Sequence, residues 1–419
     1  MASRRNRMFQ RKLLSVSVMF AALSLAACGD SSDHKKTTEQ PQPEQPQPEP
    51  PKTVVYKAII ASTAADYSSS DISIAATKAP FDAIRGYNIV DQSDYGVDAF
   101  EGSFYRIGRY NIDTLTRYDI TAPQLPVWQF STKASTETTT RNPYDLAFVN
   151  AEKAYLIRYE GDTAWIINPS VLQSEESAFK IGELNLSSYN DADGSPEAVA
   201  GVIVGEKLFV VMQRLDKTAG WAPGDPYIAV FDINTNTEID TDPNDNPENV
   251  KGIKLEIKNP TSIDVVGDTL YVSGIGNYAP LERTGGIQGV NVSNYSTRII
   301  RDDSAEGADA LGQTSGIAII SPTLGYFKGY VGWQNEGLYQ FNPETGEVVT
   351  EPVAGLTGLM ISTLKKAPDN SLWVGIGDAV SPRVEVLDTT NNTKLGQVDL
   401  LRSPSEIAFT STLEEVVPQ

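Results

Sequence analysis

Two segments of this chain space oxygen-bearing side chains as a hard cation requires them. Asn190-Asp191-Ala192-Asp193-Gly194-Ser195-Pro196-Glu197 sets Asp191 and Asp193 at alternate positions, with a glycine for a sharp turn. Asp240-Thr241-Asp242-Pro243-Asn244-Asp245-Asn246-Pro247-Glu248 is equally rich in oxygen, with Asp240 and Asp242 as the candidate ligands. Neither has the complete spacing and distal glutamate of a helix–loop–helix calcium site. Asn, Asp and Pro also favour turns in their own right, so such stretches are more often plain polar turns.

Chemistry that needs cysteine or histidine is excluded from most of the chain. Cys28 is the only cysteine and His34 the only histidine, and the body from Thr53 to Gln419 has neither. Disulfides within the body, Cys/His zinc, haem, Fe–S and blue-copper sites are therefore out, as are Ser-His-Asp and Cys-His nucleophiles. No cofactor is required. A metal would be a hard cation such as calcium, and catalysis would rest on carboxylates, Lys, Tyr or Arg.

Cys28 closes Leu25-Ala26-Ala27-Cys28, after a 15-residue apolar run (Leu13 to Ala27) and a basic stretch with Arg4, Arg5, Arg7, Arg11 and Lys12. That run is short for a membrane span and typical of a signal peptide. The Leu-Ala-Ala-Cys sequence resembles the lipobox of bacterial lipoproteins. The resemblance implies removal of residues 1–27, lipidation of Cys28 and anchoring to a membrane. Gly29 stands where an aspartate would resemble an inner-membrane retention signal, which favours the outer membrane, with the periplasmic or cell-surface face left open.

Residues 28–52 follow as a linker whose Gln40–Pro51 stretch repeats proline with Gln and Glu. Proline this dense predicts an extended spacer of roughly 3.1 Å per residue. Loss of residues 1–27, with five basic and no acidic side chains, takes the net charge from −20 to −25. Such a surface repels nucleic acid, which excludes it as a partner.

The body shows short runs of Val, Ile, Tyr, Phe and Trp between Gly, Asn, Asp and Pro clusters, the all-β pattern. The runs recur. Asn142-Pro143-Tyr144-Asp145-Leu146-Ala147-Phe148, Asn259-Pro260-Thr261-Ser262-Ile263-Asp264-Val265 and Ser403-Pro404-Ser405-Glu406-Ile407-Ala408-Phe409 repeat one element. Ala154-Tyr155-Leu156 and Leu270-Tyr271-Val272 repeat a second, and Tyr227–Asp232, Gly337–Phe341 and Val384–Asp388 a third. Unit starts near 95, 142, 196, 259, 314, 358 and 403 give a period of about 51, the spacing of a four-stranded propeller blade. The last unit has room for one strand only. Val54–Ile60 and Ile72–Ala76 can complete it, closing the ring and removing open sheet edges. A pair of β-sandwiches is the structural alternative.

This pattern resembles the seven-bladed β-propellers of the YVTN type, with degenerate motifs. The expected organisation is a propeller over residues 53–413 and a tail at 414–419. In such propellers the loops after each second strand meet on one face around the central channel. The resemblance thus brings together Arg109, Tyr110, Arg158, Tyr159, Gln213, Arg214, Asn277, Tyr278, Trp333, Gln334 and Asp378. These form a pocket for a carboxylate, a sugar or a partner loop, or pack between blades. The leading function is a lipid-anchored envelope or cell-surface module that binds a protein or small ligand. The alternatives are a calcium-dependent lactonase-like or carboxylate-based glycan-active enzyme, and a periplasmic solute or cation binder. An acidic channel would favour the enzyme or calcium readings.

Overall fold

A computed structural model describes residues 52–242, 250–278, 281–332 and 335–415. Residues 50–419 form one unit. Residues 1–51, with the expected signal segment, Cys28 and the proline-rich stretch, lie outside the described residues.

The unit is a seven-bladed β-propeller. Six blades are built from consecutive antiparallel strands. Their innermost strands are Tyr95–Phe100, Pro143–Asn150, Ala198–Val204, Pro260–Val266, Gln313–Ser321 and Ile361–Lys366. The seventh blade joins the two ends of the chain. Its inner strand Ser403–Glu415 pairs with Lys52–Thr63, which pairs with Ser70–Ala76 and then Ala83–Val90. The closure read from the sequence is the one observed, and its strands reach a residue or two past the expected limits. Each inner strand touches the next, from Ser403–Glu415 round to Ile361–Lys366 and back.

A blade is covered on both faces, so its middle strands are apolar at every position rather than alternating. Leu208, Phe209, Val210, Val211 and Met212 are all buried. Leu208, Val210 and Met212 pack towards the preceding blade with Tyr155, Ile157 and Ile166. Phe209 and Val211 pack towards the following blade with Leu270 and Val272. Seven such apolar clusters occur, one between each pair of neighbouring blades.

The repeated turn before the inner strand has a backbone cause. Asn142, Asn259 and Glu197 hold the equivalent place with φ of 47°, 53° and 49°. The carbonyl of each accepts the N–H of a residue after the second strand: Tyr159, Ile275 and Gln213. Asparagine tolerates this left-handed conformation, whereas glutamate rarely adopts it.

Each inner strand starts on one face, where the second strand also ends; Tyr95 pairs with Gly108 there. Lys52 pairs with Glu415 at the other end of the closing blade, so the propeller's first and last described residues lie on the opposite face.

Candidate functional site

The face where inner strands begin carries most of the residues expected from the sequence, and a continuous belt of side chains joins several of them. Arg109 Nη2 donates to Glu406 Oε2 at 3.2 Å, and its guanidinium lies 4.4 Å from the centre of the Tyr144 ring. Tyr144 stacks on Tyr159 with ring centres 5.1 Å apart. The Tyr159 hydroxyl donates to Gln213 Oε1 at 2.9 Å, and Gln213 Nε2 donates to Asn259 Oδ1 and the Pro260 carbonyl. The belt crosses from the closing blade to the fourth complete blade.

Other expected residues are placed differently. Tyr110 is exposed on this face. Arg158 is the last residue of its strand rather than part of the loop, so strand alternation turns it inward. It is 1 % exposed, held by Glu137 at 2.9 Å, and packed 4.5 Å from the Trp165 ring. It therefore braces the blade and does not face the channel mouth. Arg214 donates to the Asp225 carbonyl at 3.1 Å and lies over Tyr227. Asn277 and Tyr278 begin a two-stranded hairpin with Leu281–Glu282. Asp378 is spent on the backbone N–H groups of Val380 and Ser381. Trp333 and Gln334 lie outside the described residues.

Several clefts open on this face, two of them beside the belt. One, of about 710 Å³, is walled by Tyr67, Tyr95, Met360 and small residues such as Ala64 and Ala379, with Asp94, Arg109, Lys328 and Glu336 as its charged groups. Lys328 Nζ donates to the Ile361 carbonyl at 2.8 Å and lies 3.9 Å from Glu336. Burial pushes the lysine down and the glutamate up from their ordinary values. The second cleft, of about 660 Å³, is bounded by Tyr110, Tyr144, Tyr159, Asp193, Lys217 and Trp221.

The first of the two oxygen-rich loops forms an edge of that second cleft. Asp191 and Asp193 come together with Asp216, with one carboxylate oxygen of each inside a 4.8 Å span. Glu197 lies beside them, fully buried. Lys217 pairs with Glu160 and reaches Glu197 at 3.4 Å and Asp193 at 3.7 Å. Burial, then the charges of Asp193 and Asp191, push Glu197 up to about 8. Burial also raises Asp191. The second loop assembles no such group among the described residues. There Asp240 accepts the Asp242 N–H as a simple turn, and residues 243–249 lie outside the described residues.

Carboxylates also line the inner strands, and most latch one blade to the next. Glu406 accepts the Val97 N–H at 2.9 Å, Asp145 that of Gly201 at 2.7 Å, and Asp264 that of Ile319 at 2.7 Å. From the third strand of its blade, Asn335–Phe341, Glu336 likewise accepts the Ile361 N–H. Burial raises Asp145 to about 6, with Glu406 adding to the effect, while the Gly201 N–H and Lys365 oppose it. Asp98 is pushed well up by burial and by Asp145.

Asp216, Lys217, Lys328 and Glu336 carry no signal in the sequence that marks them as site residues, whereas Glu197 ends the first oxygen-rich segment. Asp216 stands two places beyond Arg214, so a wider window after the second strand would have included it.

No known protein family and no curated protein matches the sequence. Solved structures do match. A candidate 6-phosphogluconolactonase from Bacteroides uniformis is 14% identical with a TM-score of 0.57, over 84% of this chain and 99% of that one. A periplasmic gluconolactonase from Pseudomonas aeruginosa is 14% identical with a TM-score of 0.55, over 87% and 100%. The dihydro-heme d1 dehydrogenase NirN is 13% identical with a TM-score of 0.51, over 88% and 78%. At such identity the likeness carries the fold alone, a β-propeller.

Proposed function

We propose that this protein is a lipid-anchored envelope lipoprotein, of the outer membrane and with a YVTN-like propeller, that binds a small organic ligand on one face. The observation that carries the reading is the 710 Å³ cleft. It combines an apolar, aromatic wall with a few convergent charges, the composition of small-molecule sites. Its position supports the same reading: it opens on the face opposite Lys52, where the linker joins. The reading requires no cofactor and no nucleic acid.

A lactonase-like or other carboxylate-based hydrolase is the second reading. It is favoured by Asp145, whose elevation to about 6 lets it exchange a proton near neutral pH. The lactonase names of two similar structures agree with it but add only the fold.

The test is native mass spectrometry of protein gently extracted from membranes. A bound small molecule, lost in Ala379→Trp, supports the first reading; Ala379 is exposed on the cleft wall, so the larger ring fills the cleft without disturbing the core. A molecule retained by Ala379→Trp, or none bound, counts against it.

A further inference from the structure

The loops of the third complete blade gather more negative charge than their own cations balance. Asp191 and Asp193 come from the loop before Ala198–Val204, and Asp216 from the loop after Lys207–Met212. Glu160 and Glu197 border the same place, and Lys217 is the lysine paired there. Asp193 Oδ1 accepts the Ser195 N–H, and its Oδ2 the Lys217 N–H. Asp191 Oδ1 accepts the Asp193 N–H. Asp216 Oδ1 accepts from Thr218 and Ala219. These bonds fix the three carboxylates without saturating them.

A second observation points to a ligand. Glu197 is 0 % exposed, and its Oε1 accepts no hydrogen bond. That oxygen borders the cluster, since Lys217 Nζ reaches it at 3.4 Å and Asp193 Oδ2 at 3.7 Å. Among the described residues Lys217 is its one ion-pair partner, and the lysine is shared with Glu160. Asp191 Oδ2 and Asn190 Oδ1 are likewise enclosed and accept no hydrogen bond. Buried acceptors in folded proteins are nearly always satisfied, and orphans on one loop indicate an ion or water in their midst.

We propose that Asp191, Asp193 and Asp216 bind a hard divalent cation, calcium by its ligands. One carboxylate oxygen of each lies within 4.8 Å of the other two, close enough to share one ion. Calcium takes about six to eight oxygens, several of them from carboxylates, in a flexible geometry. Magnesium keeps several waters and usually takes only one or two carboxylates. The donors are all oxygen, which excludes soft metals. The ion holds the loop of Asp216 to the loop of Asp193 and so sets the wall of the 660 Å³ cleft, where Trp221 is half exposed. The inference is independent of the ligand reading above, which concerns the other cleft.

The test uses the full-length chain in detergent, stripped with a chelator that is then removed, and titrated with calcium chloride. Calorimetry is expected to show one ion per chain, and Trp221 gives a fluorescence change that chelator reverses. Asp216→Asn keeps an acceptor for the Thr218 and Ala219 N–H groups, so the loop still folds; affinity falls at least about tenfold with the lost ligand charge. Asp191→Asn has the same effect, whereas Asp240→Asn leaves binding unchanged. Magnesium binds more weakly than calcium. No heat and no fluorescence change up to about 10 mM calcium, the weak end for extracellular sites, overturns the proposal. So does calcium binding that Asp191→Asn and Asp216→Asn both leave intact.

Discussion

Glu406, on the last strand of the chain, accepts the backbone N–H of Val97 at 2.9 Å, 309 positions away. The same oxygen holds Arg109 at 3.2 Å. Gly96 permits this approach: a Cβ there would lie 2.6 Å from both the Glu406 carboxylate and the Arg109 guanidinium. One carboxylate thus fastens the closing blade to the first complete one. Glu406→Ala leaves the Val97 N–H and Arg109 without this partner and is expected to cost about 1–3 kcal/mol. Glu406→Gln keeps an acceptor for Val97 and should cost less. Urea denaturation of both variants checks this; equal losses would remove the backbone latch from the account.

The repeated tyrosine of the second strand has a specific partner. Tyr155 Oη donates to Asn236 Oδ1 at 2.7 Å, and Tyr326 Oη donates to Asn392 Oδ1 at 2.7 Å. In both cases the asparagine sits in a turn of the next blade, at φ of 57° and 60°. Tyr326→Phe is expected to lower stability by about 1 kcal/mol, the net worth of one hydrogen bond. Asn392→Ala should lose more, because alanine also resists the left-handed conformation. A double-mutant cycle read by urea midpoint checks the pairing; additive losses would show that the two residues act separately.

These features explain what is legible in the chain. The Asn-Pro turn, the apolar second strand and its tyrosine are local patterns that recur, so blade number and ring closure can be read from one sequence. Side-chain direction cannot. The repeat pattern puts Arg158 in a loop, but it ends a strand and turns into the blade beneath Glu137. The pairing of Glu406 with Val97 and the meeting of Asp216 with Asp193 depend on distances across the ring, which spacing along the chain does not report. The acidic loop is visible because Asp191 and Asp193 are neighbours; its third carboxylate arrives from another turn.

Asp145 makes stability depend on pH in a defined direction. Burial holds its folded value at about 6, above the ordinary 3.8. Its folded form therefore favours the proton more than the unfolded chain does. That contribution is complete below about pH 4 and is lost as pH rises through 6. Asp225 acts oppositely: hydrogen bonds from Lys254 and Lys258 hold it down at about 2, so its contribution is present above 3.8 and lost as pH falls. Its exposure keeps that effect small. Melting temperature is expected to decline between about pH 4 and 6. Asp145→Asn, which keeps an acceptor for the Gly201 N–H, should lessen the decline; the remainder belongs to Asp98 and Glu197, which burial also pushes up. A wild-type profile that rises over this range would contradict the assignment.

A lipid anchor at Cys28 is expected from the lipobox-like Leu25-Ala26-Ala27-Cys28. Thiol lipidation needs sulfur, so Cys28→Ser should remove the acyl chains and move the protein from the detergent-rich to the aqueous phase on partitioning. Several acyl chains on one residue bind a bilayer firmly, at about 0.8 kcal/mol per buried methylene, and a single serine cannot replace them. Mass spectrometry of the wild type should show loss of residues 1–27 and an N-terminal residue heavier than cysteine. Gly29→Asp tests the membrane of destination: the lipoprotein resemblance implies a shift to the inner membrane on fractionation. Protease added to intact cells then distinguishes the cell-surface from the periplasmic face. If Cys28→Ser stays as firmly bound as the wild type, the chain is held by another segment and the lipid-anchor reading fails.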